Sequence, residues 1–489
     1  MTGSLRRALM IVVLVTILVA IGVAGRLTPR SVRPAPPATS ALSAVKVARV
    51  AATESSAWYC PGGSGAQGGA PTTIVLTNTG ARPVHGTLTA VSAPAPNTSP
   101  VPWAAARTVA LTVPTDGQVA VGADQLGSSS LIAAAVVLDG GGVAVSESVQ
   151  SPLGWSMAPC AATTASNWDF AHGATAQGGG LILSLFNPTS TDAVVNVALV
   201  SSSAGFLAPA AYQGIAVPPG SLVTENIGDH APDDSAVATE VTALSGTVVA
   251  SELQSVGKPG AGGLSLTLGS PAPALQWVFP QSTGLQGATV AFHVLNPTTR
   301  PAVVSVAVGL SQGAAAEPLT MHVPAQSLAT LVAGNQTRIP SSGPYALTFT
   351  STGAGGAGIV VSRLVTAPSG SPAPIPEIGD AAGVPGGSRR WILPGVVAPG
   401  SGAWALAIVD LGNKPATVRI LTPSDRALPG QALRRVVPGS PLVIGPNPGP
   451  PFGTVPFAVV ASQPMAVELD ALPVAEPGVV VVPAFSAFG

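Results

Sequence analysis

Along most of this chain, apolar residues alternate with small polar ones in short runs, and the runs are cut by Gly, Pro, Asn and Ser. Strict alternation places one set of side chains on each face of an extended strand, and the cutting residues are those that turns require. The clearest instance is 289–308, TVAFHVLNPTTRPAVVSVAV, two alternating runs joined at Asn296-Pro297-Thr298-Thr299. Three other segments keep its apolar positions: TTIVLTNTGARPVHGTL at 72–88, LILSLFNPTSTDAVVNVAL at 181–199 and WALAIVDLGNKPATVRI at 404–420. In this alignment Asn-Pro-Thr becomes Asn78-Thr79-Gly80 and Leu411-Gly412-Asn413, which share turn chemistry and no common reactive group.

Tryptophans keep the same time. Trp58, Trp168, Trp277 and Trp391 open the runs WYCP, WDFA, WVFP and WILP at spacings of 110, 109 and 114, the mark of tandem duplication. The third unit holds seven strand-like runs, at 277–280, 289–295, 302–308, 319–323, 328–332, 345–350 and 359–365. Seven short runs with turns between them predict an all-β array of four immunoglobulin-like β-sandwiches; a propeller blade repeats every 40–45 residues or so, too short for this period. The predicted boundaries are 58–165, 166–274, 275–388 and 389–489. The fourth and fifth runs share a Val-Pro, at Pro114, Pro218, Pro324 and Pro438, predicted to end one strand and begin a hairpin or sheet-crossing corner. In the seventh run Glu147, Glu252 and Glu468 share a phase, with Arg363 in the third unit. One charge per module makes no carboxylate pair, so these are expected to be exposed on an edge strand, where charge discourages edge-to-edge pairing. An eighth run follows in three units, near Trp155, Leu264 and 478–482. The third unit instead has the Ser/Pro/Gly-rich stretch 368–390, which reads as a flexible connector.

Composition narrows the partners. Charged residues are 8% and the formal net charge is −1, so nothing in the balance fits a phosphate backbone, and nucleic acid is excluded as an expected partner. Residues 8–25, ALMIVVLVTILVAIGVAG, carry no charge and follow Arg6 and Arg7, the layout of an export signal whose basic flank, 1–7, stays in the cytoplasm. The expectation is a single-pass anchor in the cytoplasmic membrane with the C-terminal bulk outside; cleavage near Gly22-Val23-Ala24 and secretion is the alternative. Residues 26–57, rich in Pro and Ala, read as a stalk.

Two cysteines, Cys60 and Cys160, bracket the first unit. In an exported chain such a pair is expected to form a disulfide, with the eighth run carrying Cys160 back beside Cys60; metal binding would need further ligands, and none clusters beside them in the sequence. The histidines, His85, His172, His230, His293 and His322, show no metal spacing, and His293 in mid-strand reads as solvent-facing or satisfied in the core. Asp229, His230, Asp233 and Asp234 form the densest acidic loop, and Trp103 stands in a long Ala/Pro-rich loop outside the repeated tryptophan phase. Both are candidate interaction sites, the first for calcium and the second for sugar stacking. No Gly-x-Ser-x-Gly elbow or phosphate loop occurs, and no catalytic residue, metal site or cofactor is expected.

The basic flank, single apolar span and Ala/Gly/Pro/Val-rich β array resemble the uncharacterised membrane-anchored cell-envelope proteins of actinobacteria, a family of tandem immunoglobulin-like β modules. The likeness rests on the Asn-Pro-Thr hairpins with their alternating valines and on the Val-x-Ser-Glu strand at Val145–Glu147, looser at Val249–Glu252. That family has no assigned activity, so the resemblance implies no functional residue. The function expected is a non-catalytic scaffold or interaction protein of the envelope, bound to an envelope protein or to cell-wall glycan; a carbohydrate-binding wall module is the alternative, and an envelope hydrolase the third.

Overall fold

A computed structural model describes residues 49–50, 56–93, 106–176, 179–258, 261–280, 289–352, 356–366, 378–395, 403–428, 431–445, 455–472, 480–482 and 484–487, all within one compact unit, Ala44–Gly489. Residues 8–25, nearly all of the stalk and Trp103 lie outside them. Among the described residues no helix is long and apolar enough to cross a membrane.

The architecture is all-β. In module 1 eight strands form two four-stranded antiparallel sheets: Ser56–Cys60, Thr72–Asn78, Val84–Ala93, Arg107–Val113, Gln118–Gly122, Leu131–Leu138, Val143–Ser151 and Gly154–Pro159. Strands run 1-6-3-4 in one sheet and 5-2-7-8 in the other. Alternation supplies the core: Ile74, Leu76, Leu88, Val136 and Val145 face inward and are at most 1% exposed. Modules 2 and 3 repeat this order, with the fourth strand of module 2 broken into Gly205–Leu207 and Ile215–Val217. Val-Pro falls where the chain leaves one sheet for the other, a sheet-crossing corner, because proline cannot donate to a ladder. Two residues after proline the backbone turns left-handed, at Asp116 (φ 51°), Gly220 (φ 61°) and Gln326 (φ 48°).

The recurring polar positions hold the turns. Asn296, fully buried, donates Nδ2–H to the carbonyls of Arg300 (2.7 Å), Val323 (3.1 Å) and Pro324 (2.8 Å) and accepts from Thr298 N–H (3.1 Å). Asn78 and Asn187 do the same work. In module 4 the equivalent residue is Asp410, accepting from Gly412 N–H at 2.8 Å, so the matching tripeptide is Asp410-Leu411-Gly412, one residue earlier than the sequence alignment has it. Trp168, Trp277 and Trp391 fill the cores and donate Nε1–H to Val248, Ile359 and Met465 carbonyls at 2.7–2.8 Å, joining the first strand to the start of the seventh.

Of module 3's predicted connector, 368–390, residues 368–377 lie outside the described residues, and the remainder holds a strand. Ile378–Ala382 pairs antiparallel with Val360–Thr366 and is its eighth strand. Pro and Gly dominate the approach to this strand, which masks it, while the five residues themselves meet a complete partner. In module 4 the sixth and seventh strands are one 16-residue strand, Phe457–Leu472, which links both sheets into a nine-stranded one.

After each eighth strand the chain returns to its module's first strand, at Tyr59↔Ala161, Asp169↔Ser270 and Val278↔Val384, and in module 4 through Phe485–Ala487, where Ile392 faces Phe485. The modules form a closed circuit of contacts in which the eighth strands pack 1 on 2, 2 on 3, 3 on 4 and 4 on 1. Apolar side chains cross the seams: Val91 and Leu131 with Phe186 and Leu222, Ala171 and Val200 with the core of module 3, and Ile392, Ala458 and Phe485 with the core of module 1. Asp116 closes the seam between modules 1 and 4, accepting from Ser424 N–H and Oγ–H at 2.7 Å each and from the Arg426 guanidinium.

Candidate functional site

The seventh strands carry buried charged residues. Glu147, Glu252 and Arg363 occupy one register, opposite Ile74, Leu183 and Phe292, four residues before Asn78, Asn187 and Asn296. They are 0%, 2% and 2% exposed, which overturns the exposed-edge expectation. The seventh strand is internal, flanked by the second and the eighth, and the neighbouring module covers what the sheet leaves open. Glu468 does not share the register: Leu469 stands opposite Leu406 there, and Glu468, one residue off, points to the other face.

That offset builds a seam. Arg363 of module 3 reaches Glu468 at 2.6 Å and Asp470 at 3.3 Å in module 4, with all three residues at most 6% exposed. Burial is the largest effect on Glu468 and pushes its carboxyl well up, against the pull of Arg363 and with the push of Asp470. The same contact recurs with other chemistry between modules 1 and 2. A Cβ on Gly62 would stand 3.2 Å from Glu147 Oε1 and 3.2 Å from Ser251 Oγ, the module 2 residue just before Glu252. At this seam a carboxyl and a hydroxyl converge where modules 3 and 4 place an ion triad.

Glu147 accepts from Gly62 N–H through Oε2 at 3.1 Å, while Oε1, buried, has no hydrogen-bond partner among the described residues. Burial raises this carboxyl to about 8, the Gly62 bond opposing. Beside it lies the Cys60–Cys160 disulfide, with a Cα–Cα distance of 4.6 Å. The return run seats Cys160, whose N–H donates to the Val145 carbonyl at 3.0 Å. In modules 2 and 3 the equivalent pairs are Phe170 with Gly269 and Phe279 with Gly383, where a Cβ on either glycine would stand 2.7 Å from the ring. A ring over a glycine thus fills the place that the covalent bond takes in module 1. The sulfurs and a Glu147 oxygen lie within 4.8 Å of one another, so the fold brings to the cysteines the third ligand type that the sequence does not place near them.

Within the loop of Asp229, His230, Asp233 and Asp234 the side chains take separate partners. Asp234 turns inward, 2% exposed, and accepts from the hydroxyls of Ser201, Ser202 and Ser203 and from Ala236 N–H. Burial opposes its ionisation, but these donors prevail and hold it at about 2. Asp229 accepts from Asn226 Nδ2–H at 2.8 Å, His230 stands edge-on to Tyr212 at 4.6 Å, and Asp233 is exposed with φ 55°. Together these residues shape a loop.

Two further buried clusters had no sequence signal. His172 and His293, from modules 2 and 3, stack with ring centroids 4.2 Å apart, and His293 Nδ1 meets Thr330 Oγ1 at 3.1 Å. Burial, then the neighbouring His172, pushes His293 well down, so it is neutral. Asp169 and Glu240 face each other across strands in module 2; burial raises both, Glu240 to about 7, and Glu240 also raises Asp169. Cross-strand register sets the Asp169–Glu240 pair, and the packing of module 2 on module 3 sets the histidine pair.

The fold and its interior define a multi-module β protein whose singular chemistry lies in its module seams. A family model described as a family of unknown function, DUF5719, matches residues 119–338, from the fifth strand of module 1 into module 3. No curated protein matches. Among solved structures, that of Thermotoga maritima 1070 is 13% identical with a TM-score of 0.20 and covers 22% of this chain and 92% of its own. The tetra-tandem repeat in the extending region of a large adhesion protein is 11% identical with a TM-score of 0.10, covering 89% of this chain and 96% of its own. Trypsin-activated alpha-2-macroglobulin from Escherichia coli is 9% identical with a TM-score of 0.11, covering 89% of this chain and 42% of its own. TM-scores this low carry no argument about function.

Proposed function

We propose that this is a non-catalytic scaffold or interaction protein of the cell envelope, held to the cytoplasmic membrane by residues 8–25 with its β modules outside. We read the modules as immunoglobulin-like in size and in their two-sheet build, with the first and seventh strands exchanged between sheets relative to the immunoglobulin order. The observation that carries the reading is where the repeated polar residues go. The turn asparagines, the tryptophans and the Arg363 triad are engaged inside the fold. The outside is left to a low-charge surface with large apolar side chains in the open, Leu244 at 63%, Leu433 at 58%, Val137 at 53% and Phe206 at 43% exposed. Such a surface suits contact with another macromolecule better than free solution.

Cross-linking in intact cells followed by identification of the joined peptides tests this. Recovery of one envelope protein through these faces is the expected result. A chain that is monomeric when purified and joins no envelope protein would overturn the proposal. Retention on isolated cell wall that Trp103→Ala abolishes would replace it with glycan binding.

A further inference from the structure

We propose that, with its disulfide reduced, module 1 holds a thiophilic divalent cation of the zinc class, bound by Cys60, Cys160 and Glu147. Three observations carry this. The two sulfurs and a Glu147 oxygen lie within 4.8 Å of one another, and all three residues are 0% exposed. Glu147 Oε1 has no hydrogen-bond partner among the described residues, although Oε2 is held by Gly62 N–H. A buried oxygen in that position gains a partner when a cation sits between it and two thiolates. Finally, the set is confined to module 1, because Phe170 and Gly269, or Phe279 and Gly383, stand at the cysteine positions of modules 2 and 3.

The chemistry balances. A phosphine reductant and one water convert the disulfide into two thiols and a phosphine oxide. Binding of the cation then releases two thiol protons and, where Glu147 is neutral, its carboxyl proton. Tetrahedral coordination sets two thiolate sulfurs about 3.8 Å apart at zinc–sulfur distances of about 2.3 Å, within reach of two cysteines whose Cα atoms are 4.6 Å apart. The fourth position falls to water or to Ser251 Oγ, which faces the same Gly62 and is likewise without a hydrogen-bond partner among the described residues. A small-molecule disulfide, itself reduced to two thiols, takes two electrons from the thiolates, joins the sulfurs and expels the cation, so the chain carries either the cation or the disulfide. The redox state of its surroundings decides which.

The test is an anaerobic titration of the full chain with Co2+, followed by the thiolate-to-cobalt charge-transfer band and by competition with Zn2+. Phosphine-reduced protein with its circular dichroism intact is expected to show the band at one equivalent, and oxidised protein none. Glu147→Gln, of nearly the same shape, should weaken binding by about tenfold or more, while Glu252→Gln, at the equivalent register of module 2, should leave it unchanged. The proposal is overturned by the absence of a band in folded reduced protein, by equal affinity in Glu147→Gln, or by the same affinity in urea-unfolded chain. The last would make the thiols ordinary adventitious ligands.

Discussion

Replacing Arg363 with Met removes the one cation from a seam that buries two carboxyls. Glu468 and Asp470 are each 6% exposed and lie 2.6 Å and 3.3 Å from the guanidinium. Burial pushes the Glu468 carboxyl well up, and the Arg363 guanidinium pulls it back toward the charged form. Without Arg363 the seam must take up one proton more than the wild type or hold a bare buried charge, and protonation is the cheaper course. A carboxyl with an unfolded pKa of about 4 costs about 1.4 kcal/mol per pH unit to keep protonated, so about 4 kcal/mol at pH 7. This agrees with the 3–5 kcal/mol or so lost when a buried pair is broken from one side. The sign follows from proton counting: relative to its unfolded chain, the folded variant holds one proton more than the wild type does above about pH 4, so its deficit grows as pH rises from there to 7. Urea unfolding of both proteins at pH 4.5, 6 and 7 measures it. A triple variant, Arg363→Met with Glu468→Gln and Asp470→Asn, should recover much of the loss and flatten the pH dependence, since it leaves no charge to neutralise. A deficit under about 1 kcal/mol, or one equal at all three pH values, would refute the reasoning.

Other consequences are as direct. Glu240→Gln should flatten the pH profile: wild-type Glu240, raised to about 7 beside Asp169, makes the folded state hold extra protons, so wild-type stability falls as pH rises from about 4 to 7, and the variant gains on it over that range in urea melts. Cys60→Ala with Cys160→Ala opens a loop with a sequence separation of 100 and should cost up to about 4.7 kcal/mol on the chain-entropy model, read as a lower unfolding midpoint; peptide mapping of the wild type without reductant should find the two cysteines joined. Asn296→Asp exchanges three donated hydrogen bonds for acceptor oxygens facing carbonyls and should destabilise by about 2–3 kcal/mol, a loss visible in hydrogen exchange at the 297–300 turn.

Where expectations failed, the reason is specific. Glu147 and Arg363 read as edge charges because a strand's own sequence does not say what lies on its far side; the eighth strand and the next module decide that. Glu468 looked like their equivalent because it stands in a similar run, yet a shift of one residue reverses its face and makes it the partner of Arg363. Asp410 was missed as the counterpart of Asn296 for a related reason: its turn keeps the acceptor bond to Gly412 N–H but not the donor side chain of asparagine. Asp229–Asp234 looked like one cluster in sequence, but only Asp234 turns inward, drawn by the three serine hydroxyls of 201–203.

The sequence by itself determined what depends on neighbours along the chain: alternation laid down the strands, Asn-Pro-Thr and Val-Pro the turns, and the tryptophan period the duplication. Pairing of Cys60 with Cys160 was also legible, because only two cysteines exist and a return strand lies between them. Tertiary structure alone decided which charges are buried, how four modules close on one another, and that Glu147 meets the cysteines. Those outcomes rest on contacts between residues separated by 85 positions, as for Gly62 and Glu147, up to 310, as for Asp116 and Arg426, and no local pattern encodes them.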